Sequence, residues 1–446
     1  MPTTNSQTCL QHAHLNVLWS VLGLWNSISL WRCTLGNSPR MLNRRLFTIA
    51  TGAAAASAGS LSLANAQEAT PVTGGPPELP PLPEGATVVA TDLFNPRYIA
   101  FADDGTMYVT ESGVGGDEAL TLGPPPGAEG TPEAVLEATP VADEATPVAD
   151  GEAPPTRGFT GQITQVDPAG EQSVAVSELA SYSVGAGPHG IAVQDGIVYF
   201  SIGGIAVSAG IEPLDGENAL HSYDPATGTV TQVAELGSYE VENNPDGEDI
   251  NPNLYAVSSG DADGRLTVND AGANTIYSVN AESGEFTLRG VVPTLDELTP
   301  EGDNPPRQAV PTGGAYNGTT YFVALLSEGW PEDGPSVLRV DGDGLFATFT
   351  SVTTGRSMVT GLAVGPDGQL YLSQLFDSFD GPPVGTVFRV DVADGAVEPV
   401  VDGLVMPHGI AFDGEGNLYV TIYTLMSGPG APAGQVVRFD GIAAPA

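Results

Sequence analysis

The chain has 446 residues, with 57 Gly, 38 Pro, only 15% charged residues and a formal net charge of −41 at pH 7. All 54 acids lie after Ala66, against nine of the 13 basic residues (every one an arginine), so the part from Gln67 onward carries 9 − 54 = −45. A surface of that sign repels nucleic acid and anionic lipid headgroups, so neither is expected as a partner. Cys9 and Cys33 both precede residue 40, which leaves the rest of the chain without disulfides or thiol chemistry and dependent on its core alone.

Met41-Leu-Asn-Arg44-Arg45-Leu-Phe47 opens a basic region, followed by an Ala-rich apolar stretch and Ala64-Asn65-Ala66. A charged start, an apolar middle and small residues at −3 and −1 mark an export signal over 41–66, cut before Gln67. The pair Arg44-Arg45 with Phe47 favours the twin-arginine (Tat) route over Sec, and hence an extracytoplasmic location. Residues 1–40 contain an apolar run from Leu15 to Trp31, slightly short for a comfortable membrane span. They read as a spurious N-terminal extension, with an anchor as the alternative; no span is expected in the exported chain. The Pro/Thr/Gly-rich stretch 67–85 reads as a disordered linker.

From residue 86 to 442 one unit recurs six times. Each copy starts with a short apolar strand: Tyr98–Phe101, Gly190–Val193, Leu254–Val257, Gly313–Tyr316, Gly361–Val364 and Gly409–Phe412. A hairpin turn follows at Asp104-Gly105, Asp195-Gly196, Asp263-Gly264, Asn317-Gly318, Asp367-Gly368 and Glu415-Gly416, where glycine supplies the positive φ that such turns require. Second strands follow (Met107-Tyr-Val-Thr110, Val198-Tyr-Phe-Ser201, Leu266-Thr-Val-Asn269, Thr320-Tyr-Phe-Val323, Leu370-Tyr-Leu-Ser373, Leu418-Tyr-Val-Thr421), and a third ends near an Asp or Asn each time. A fourth closes five copies. Copy six has only six residues after Asp440, and Ala86–Leu93 reads as its missing strand. The expected fold is therefore all-β: a six-bladed β-propeller whose N-terminal strand closes the last blade and removes the open edge. A Pro-rich stretch with a doubled Ala-Thr-Pro-Val-Ala-Asp interrupts blade 1; 117–156 reads as a disordered acidic insertion.

Propeller inner strands line a central channel, and ligands bind at its end. Aligned copies place Arg97, His189, Leu254, Thr312, Thr360 and His408 just before the inner strands. Glu111, Ile202, Asp270, Ala324, Gln374 and Ile422 form a second ring just after strand two. Arg97, His189, Thr312, Gln374 and His408 are the candidate ligand contacts, and Glu111 with Asp270 the candidate metal ligands. Such a set suits an oxyanion or a divalent cation. The bland alternative is turn capping by Asp and bonding of His and Arg to neighbouring carbonyls. The connection Glu240–Asn253 is rich in oxygen donors (Glu242, Asn243, Asn244, Asp246, Glu248, Asp249, Asn251). Its spacing is not that of an EF-hand, and turn formation alone accounts for Asn-Pro-Asp-Gly. No nucleophile elbow, His-Glu-x-x-His, P-loop or dinucleotide fingerprint occurs, which weighs against the familiar hydrolase and nucleotide-dependent chemistries.

Asn95-Pro-Arg97, Tyr108-Val-Thr-Glu111-Ser-Gly, Gly187-Pro-His-Gly190, Tyr239-Glu…Asn244-Pro-Asp-Gly247, Asn269-Asp-Ala-Gly-Ala-Asn274 and Gln308-Ala-Val-Pro-Thr312 occur in that order. Over residues 86–442 the chain thereby resembles the ScyD/ScyE family of secreted bacterial propellers. The resemblance implies a six-bladed propeller related to NHL-type repeats, associated with the scytonemin pigment gene cluster of cyanobacteria, and implies no established reaction. The chain departs from that family in its long insertion and at Asn251-Pro-Asn-Leu-Tyr255, where Asn-Pro-Tyr-Gly is expected. Two functional classes follow. One is a monomeric extracellular binding or scaffold propeller for a small-molecule or extracellular ligand. The other is a calcium-dependent hydrolase like the gluconolactonase propellers, which hold calcium through a Glu, two Asn and an Asp; Glu111 and Asp270 match two of those roles.

Overall fold

The computed structural model describes residues 80–120, 155–261, 263–298, 307–329, 334–378, 382–425 and 433–444. Arg44, Arg45, Ala64 and Ala66, the rest of residues 1–79, and 121–154 of the insertion lie outside the described residues. Six sheets form the six blades of a β-propeller. Blade 2 is typical: Pro188–Gln194, Ile197–Ile202, Ala219–Asp224 and Thr229–Glu235 pair antiparallel in sequence order.

Blade 6 is built differently. Its three C-terminal strands, Ile410–Phe412, Leu418–Ile422 and Gly434–Phe439, are completed by Thr87–Leu93, which pairs antiparallel with Gly434–Phe439. Blade 1 carries a fifth, two-residue strand, Glu118–Ala119, paired with Thr156–Arg157. The insertion is thus shorter than 117–156: both of its ends are ordered strand.

Burial falls from axis to rim. Met107–Glu111, Leu254–Ser258 and Leu266–Asp270 are buried throughout, whereas Thr229–Glu235 is mostly exposed. Inner strands pack between neighbouring blades on both faces, so they read as unbroken apolar runs. The core lies between blades: Phe322 and Val337 of blade 4 pack with Leu362, Leu372 and Phe388 of blade 5. Adjacent inner strands approach so closely that a Cβ on Gly190 would sit 2.3 Å from the Val257 nitrogen, and one on Gly409 2.2 Å from the Arg97 carbonyl. The repeated His-Gly of blades 2 and 6 is therefore a packing requirement.

A polar residue stands next to last in five of the six second strands and bonds the inner strand of the following blade. Thr110 donates to the His189 carbonyl, Ser201 to Tyr255 (2.8 Å), Asn269 to Gly313 (3.0 Å), Ser373 to His408, and Thr421 to Arg97 (2.8 Å). Blade 4 has Val323 there, and Thr312 Oγ1 donates instead to the Val359 carbonyl (2.6 Å). These bonds satisfy carbonyls that face a neighbouring blade.

All six turn glycines have positive φ. Only blade 2 has the two-residue turn with both central residues positive, Asp195 at 52° and Gly196 at 77°. Blade 1 shows a commoner form: Gly105 N–H donates to the Ala102 carbonyl and Ala102 N–H to Thr106, which makes a three-residue loop ending in a left-handed glycine.

Candidate functional site

Arg97, His189, Thr312, Thr360 and His408 occupy equivalent buried positions at the axis, but in blade 3 that position belongs to Tyr255 and not to Leu254, which has the register of Pro96 and Pro188. Arg97, His189, Leu254, Thr312, Thr360 and His408 are all essentially fully buried. Two tyrosines plug the axis. The Tyr98 hydroxyl of blade 1 stands between the carbonyls of Thr312 (2.7 Å) and Thr360 (2.5 Å) on blades 4 and 5, and its single proton can serve one of them at a time. The Tyr255 hydroxyl of blade 3 meets His408 Nε2 of blade 6 at 2.7 Å. The Tyr255 ring lies 4.4 Å from the His189 ring and 5.6 Å from that of His408. Sequence alignment of the copies gave no sign of this plug: Tyr98 sits where four other inner strands carry glycine, and the alignment placed Leu254 where the structure has Tyr255, at the register of Arg97, His189 and His408.

Arg97 is 1% exposed. Its Nε donates to Ser112 Oγ (3.1 Å) and one Nη to the Gly185 carbonyl (2.6 Å), while Nη1 has no partner. Burial pulls its pKa down from the usual value, as expected of a desolvated cation. His189 faces two carbonyls, Leu254 (Nδ1, 3.1 Å) and Gly185 (Nε2, 3.2 Å). A neutral imidazole can donate to only one of them. Burial, then the Arg97 charge, nevertheless press its pKa down to about 3. His408 is pushed well below its ordinary value by burial, Arg97 and His189, and its Nδ1 has no partner. The axis therefore holds a guanidinium with no counter-charge, two neutral imidazoles, and polar atoms lacking partners.

The second ring does not act as a unit. Glu111 is buried inside blade 1, and its oxygens accept from the Phe94 N–H (2.6 Å), Gln162 (3.0 Å) and Thr164 (2.5 Å). Desolvation raises its pKa against those bonds. Gln374 donates to the Phe376 carbonyl at 2.9 Å, while Ile202, Ala324 and Ile422 offer no oxygen. A channel calcium held by Glu111 has no donor set here: the carboxylate is already engaged, and among the described residues no three His, Cys, Asp or Glu side chains converge on a metal position.

Asp270 belongs elsewhere. It ends the strand Leu266–Asp270, pairs with Leu254, and caps the turn after it. Its Oδ1 accepts from the N–H groups of Asn253 (2.8 Å), Gly272 (3.1 Å) and Ala273 (3.0 Å), and Oδ2 has no partner. Burial raises its pKa to about 6, with the Asp246 charge adding to the shift.

Around Asp270 the residues of the Asn-Pro-Asp-Gly, Asn-Asp-Ala-Gly-Ala-Asn and Gln-Ala-Val-Pro segments come together. Asn274 Nδ2 donates to Asp246 Oδ2 (2.9 Å) and Gln308 Oε1 (2.5 Å), and Asn274 Oδ1 accepts from the Val310 N–H (3.1 Å). Asn244 and Asp246 build the turn itself, accepting from the N–H groups of Gly247 (3.1 Å) and Glu248 (3.0 Å). Glu242, Asn243, Glu248 and Asp249 are exposed. Glu240, by contrast, is fully buried on the helix Gly237–Asn243. Composition of the loop pointed to its exposed acids and passed over this one; the only signal was its place in the Tyr239-Glu240 pair.

The strand order defines the class: a six-bladed β-propeller closed by its N-terminal strand. No family model matches the chain, and no curated protein sequence matches it. Among solved structures it is similar to a gluconolactonase from Xanthomonas campestris (12% identity, 84% of this chain and 98% of that one, TM-score 0.45). It is also similar to the calcium-binding protein regucalcin from Agrobacterium tumefaciens (14%, 81% and 97%, 0.44). A third is the inactive virginiamycin B lyase from Staphylococcus aureus (13%, 75% and 80%, 0.41). At these values the likeness carries no argument about chemistry.

Proposed function

We propose that the protein is an extracytoplasmic binding propeller of the kind its sequence resembles, the ScyD/ScyE type, and that it holds a small oxyanion or carboxylate on its axis. One observation carries this reading: among the described residues the buried Arg97 guanidinium has no carboxylate partner, and its Nη1 makes no hydrogen bond. An unpaired buried charge costs several kcal/mol, on the order of 3–5. An anion beside Nη1 would offset that cost and accept from His408 Nδ1 in the tautomer that carries its proton there. It would also cancel the Arg97 charge that, after burial, holds the His189 pKa down, so binding would tighten as pH falls. The groups facing His189 are Arg97, Tyr255 and His408.

The hydrolase reading is weaker, since Glu111 is held by three donors and a gluconolactonase-like calcium finds no ligand set at the axis. The test is a thermal melt of the purified protein at constant ionic strength against phosphate, sulfate and short carboxylic acids. A saturable rise for at least one anion, larger at pH 5.5 than at pH 8 and lost in Arg97→Gln, is the expected result. No anion-specific rise, or the same rise in Arg97→Gln, overturns the reading.

A further inference from the structure

The connection from blade 2 to blade 3 buries acids that form no ion pair among the described residues. Glu240 sits on a helix of under two turns, fully buried, and its carboxylate makes no hydrogen bond of good geometry, with only the Asn251 N–H acting on it to favour the charged form. Asp270 is equally buried, with Oδ1 saturated by three backbone N–H groups and Oδ2 bare. Asp270 is tied to the connection that starts at Glu240 by the Asn253 N–H on its Oδ1 (2.8 Å), and desolvation, with the Asp270 and Asp246 charges added to it, raises the Glu240 pKa. The Tyr277 hydroxyl lies within the field of both carboxylates. None of the six ion pairs among the described residues involves Glu240, Asp246 or Asp270.

The loop that carries further oxygens is pressed onto this point. A Cβ on Gly272 would stand 1.8 Å from the Asn251 carbonyl oxygen and 3.1 Å from the Asn251 side chain. The Asp270–Asn274 turn and the Glu240–Asn253 connection are therefore in direct contact, and Asn274 ties them again through Asp246 at 2.9 Å. Carboxylate, amide and backbone carbonyl oxygens without nitrogen or sulfur are the donors that hard cations select, and a flexible set of this kind suits calcium better than magnesium.

We infer that Glu240 and the free Oδ2 of Asp270 bind one hard divalent cation, calcium by the character of the donors, between the Glu240–Asn253 connection and the Asp270–Asn274 turn. The site lies off the axis on blade 3 and is independent of the anion proposed at Arg97, so either can fail without the other. Its role is structural: a cation there fixes Asn253, and with it the following Leu254-Tyr255, which carries a His189 contact and half of the axial plug.

The experiment uses the full purified chain, stripped with a chelator and studied in enough monovalent salt to screen its acidic surface. Terbium is titrated with excitation through tyrosine, Tyr277 being the near donor, and calcium is then added to displace it. The expected result is one saturable luminescent site per chain, abolished by calcium. Calcium should also raise the melting temperature by about 2–5 °C at saturation. Glu240→Gln and Asp270→Asn keep the shape of each side chain. They should lose both responses while melting, without calcium, at or above the wild-type temperature, because each removes one of two unpaired anions. A wild type with no calcium-displaceable terbium signal and no calcium-dependent melting overturns the inference, as it would if the two carboxylates simply shared a proton. Responses unchanged in Glu240→Gln overturn it as well. If a variant fails to fold, the wild-type titration alone decides.

Discussion

His189 shows how much of this molecule is decided by single buried groups. Its pKa is depressed to about 3, first by burial and then by Arg97, whereas the unfolded chain protonates near the ordinary value of about 6.5. A depressed basic group gives stability that is present above the unfolded pKa and lost as pH falls toward the folded one. Each such histidine should thus remove about 1.4 kcal/mol per pH unit between about pH 6.5 and 3. His408 is shifted in the same direction. The buried acids Glu111 and Glu217, raised mainly by desolvation, work with the opposite sign. Urea denaturation across pH 3.5–7 should therefore show a shallower acid loss in His189→Gln than in wild type, and an unchanged slope would refute the assignment. Glu111 allows a second check at this scale. It bonds the Phe94 N–H, Gln162 and Thr164, so Glu111→Ala leaves three buried donors unmet and should cost about 2–4 kcal/mol. That loss should be read by denaturation with or without any metal; a calcium-dependent loss would revive the channel-metal role.

Among the elements, the closing strand has the largest consequence for its length. Leu93 is 1% exposed and packs with Ile99, Val109 and Val436 across the junction of blades 6 and 1. Leu93→Ala should cost about 2–4 kcal/mol, measured as a shift in the urea midpoint. The strands themselves were legible because inner strands buried on both faces are written as short apolar runs, and because a glycine marks every hairpin. The closing strand was legible from a deficit: copy six lacked a strand that Ala86–Leu93 could supply. What stayed hidden depends on contacts between blades. Alignment put Arg97 and His408 in one ring, but nothing in the repeat says that Tyr98 and Tyr255 cross the axis. Likewise, Thr110, Ser201, Asn269, Ser373 and Thr421 look like ordinary strand residues until the next blade is beside them. Glu111 and Asp270, equivalent by position, go to different tasks because one neighbour offers side-chain donors and the other a turn of backbone N–H groups.

For the whole molecule, two features of opposite character stand side by side. The chain carries a net charge of −41, while the axis holds a buried arginine that enters none of the ion pairs among the described residues. No helix among the described residues is long and apolar enough to cross a membrane. The ring is closed by a strand pairing in which Thr87 meets Arg438 and Leu93 meets Gly434. The chain must therefore be made as far as Gly434–Phe439 before Thr87–Leu93 has its partner. Until then Thr87–Leu93 waits unpaired, and any chain that offers a matching strand can take the place. At high concentration two unfinished molecules can lend each other their beginnings, and the correct product is then a matter of timing: the tether within one chain must win the race against its neighbours.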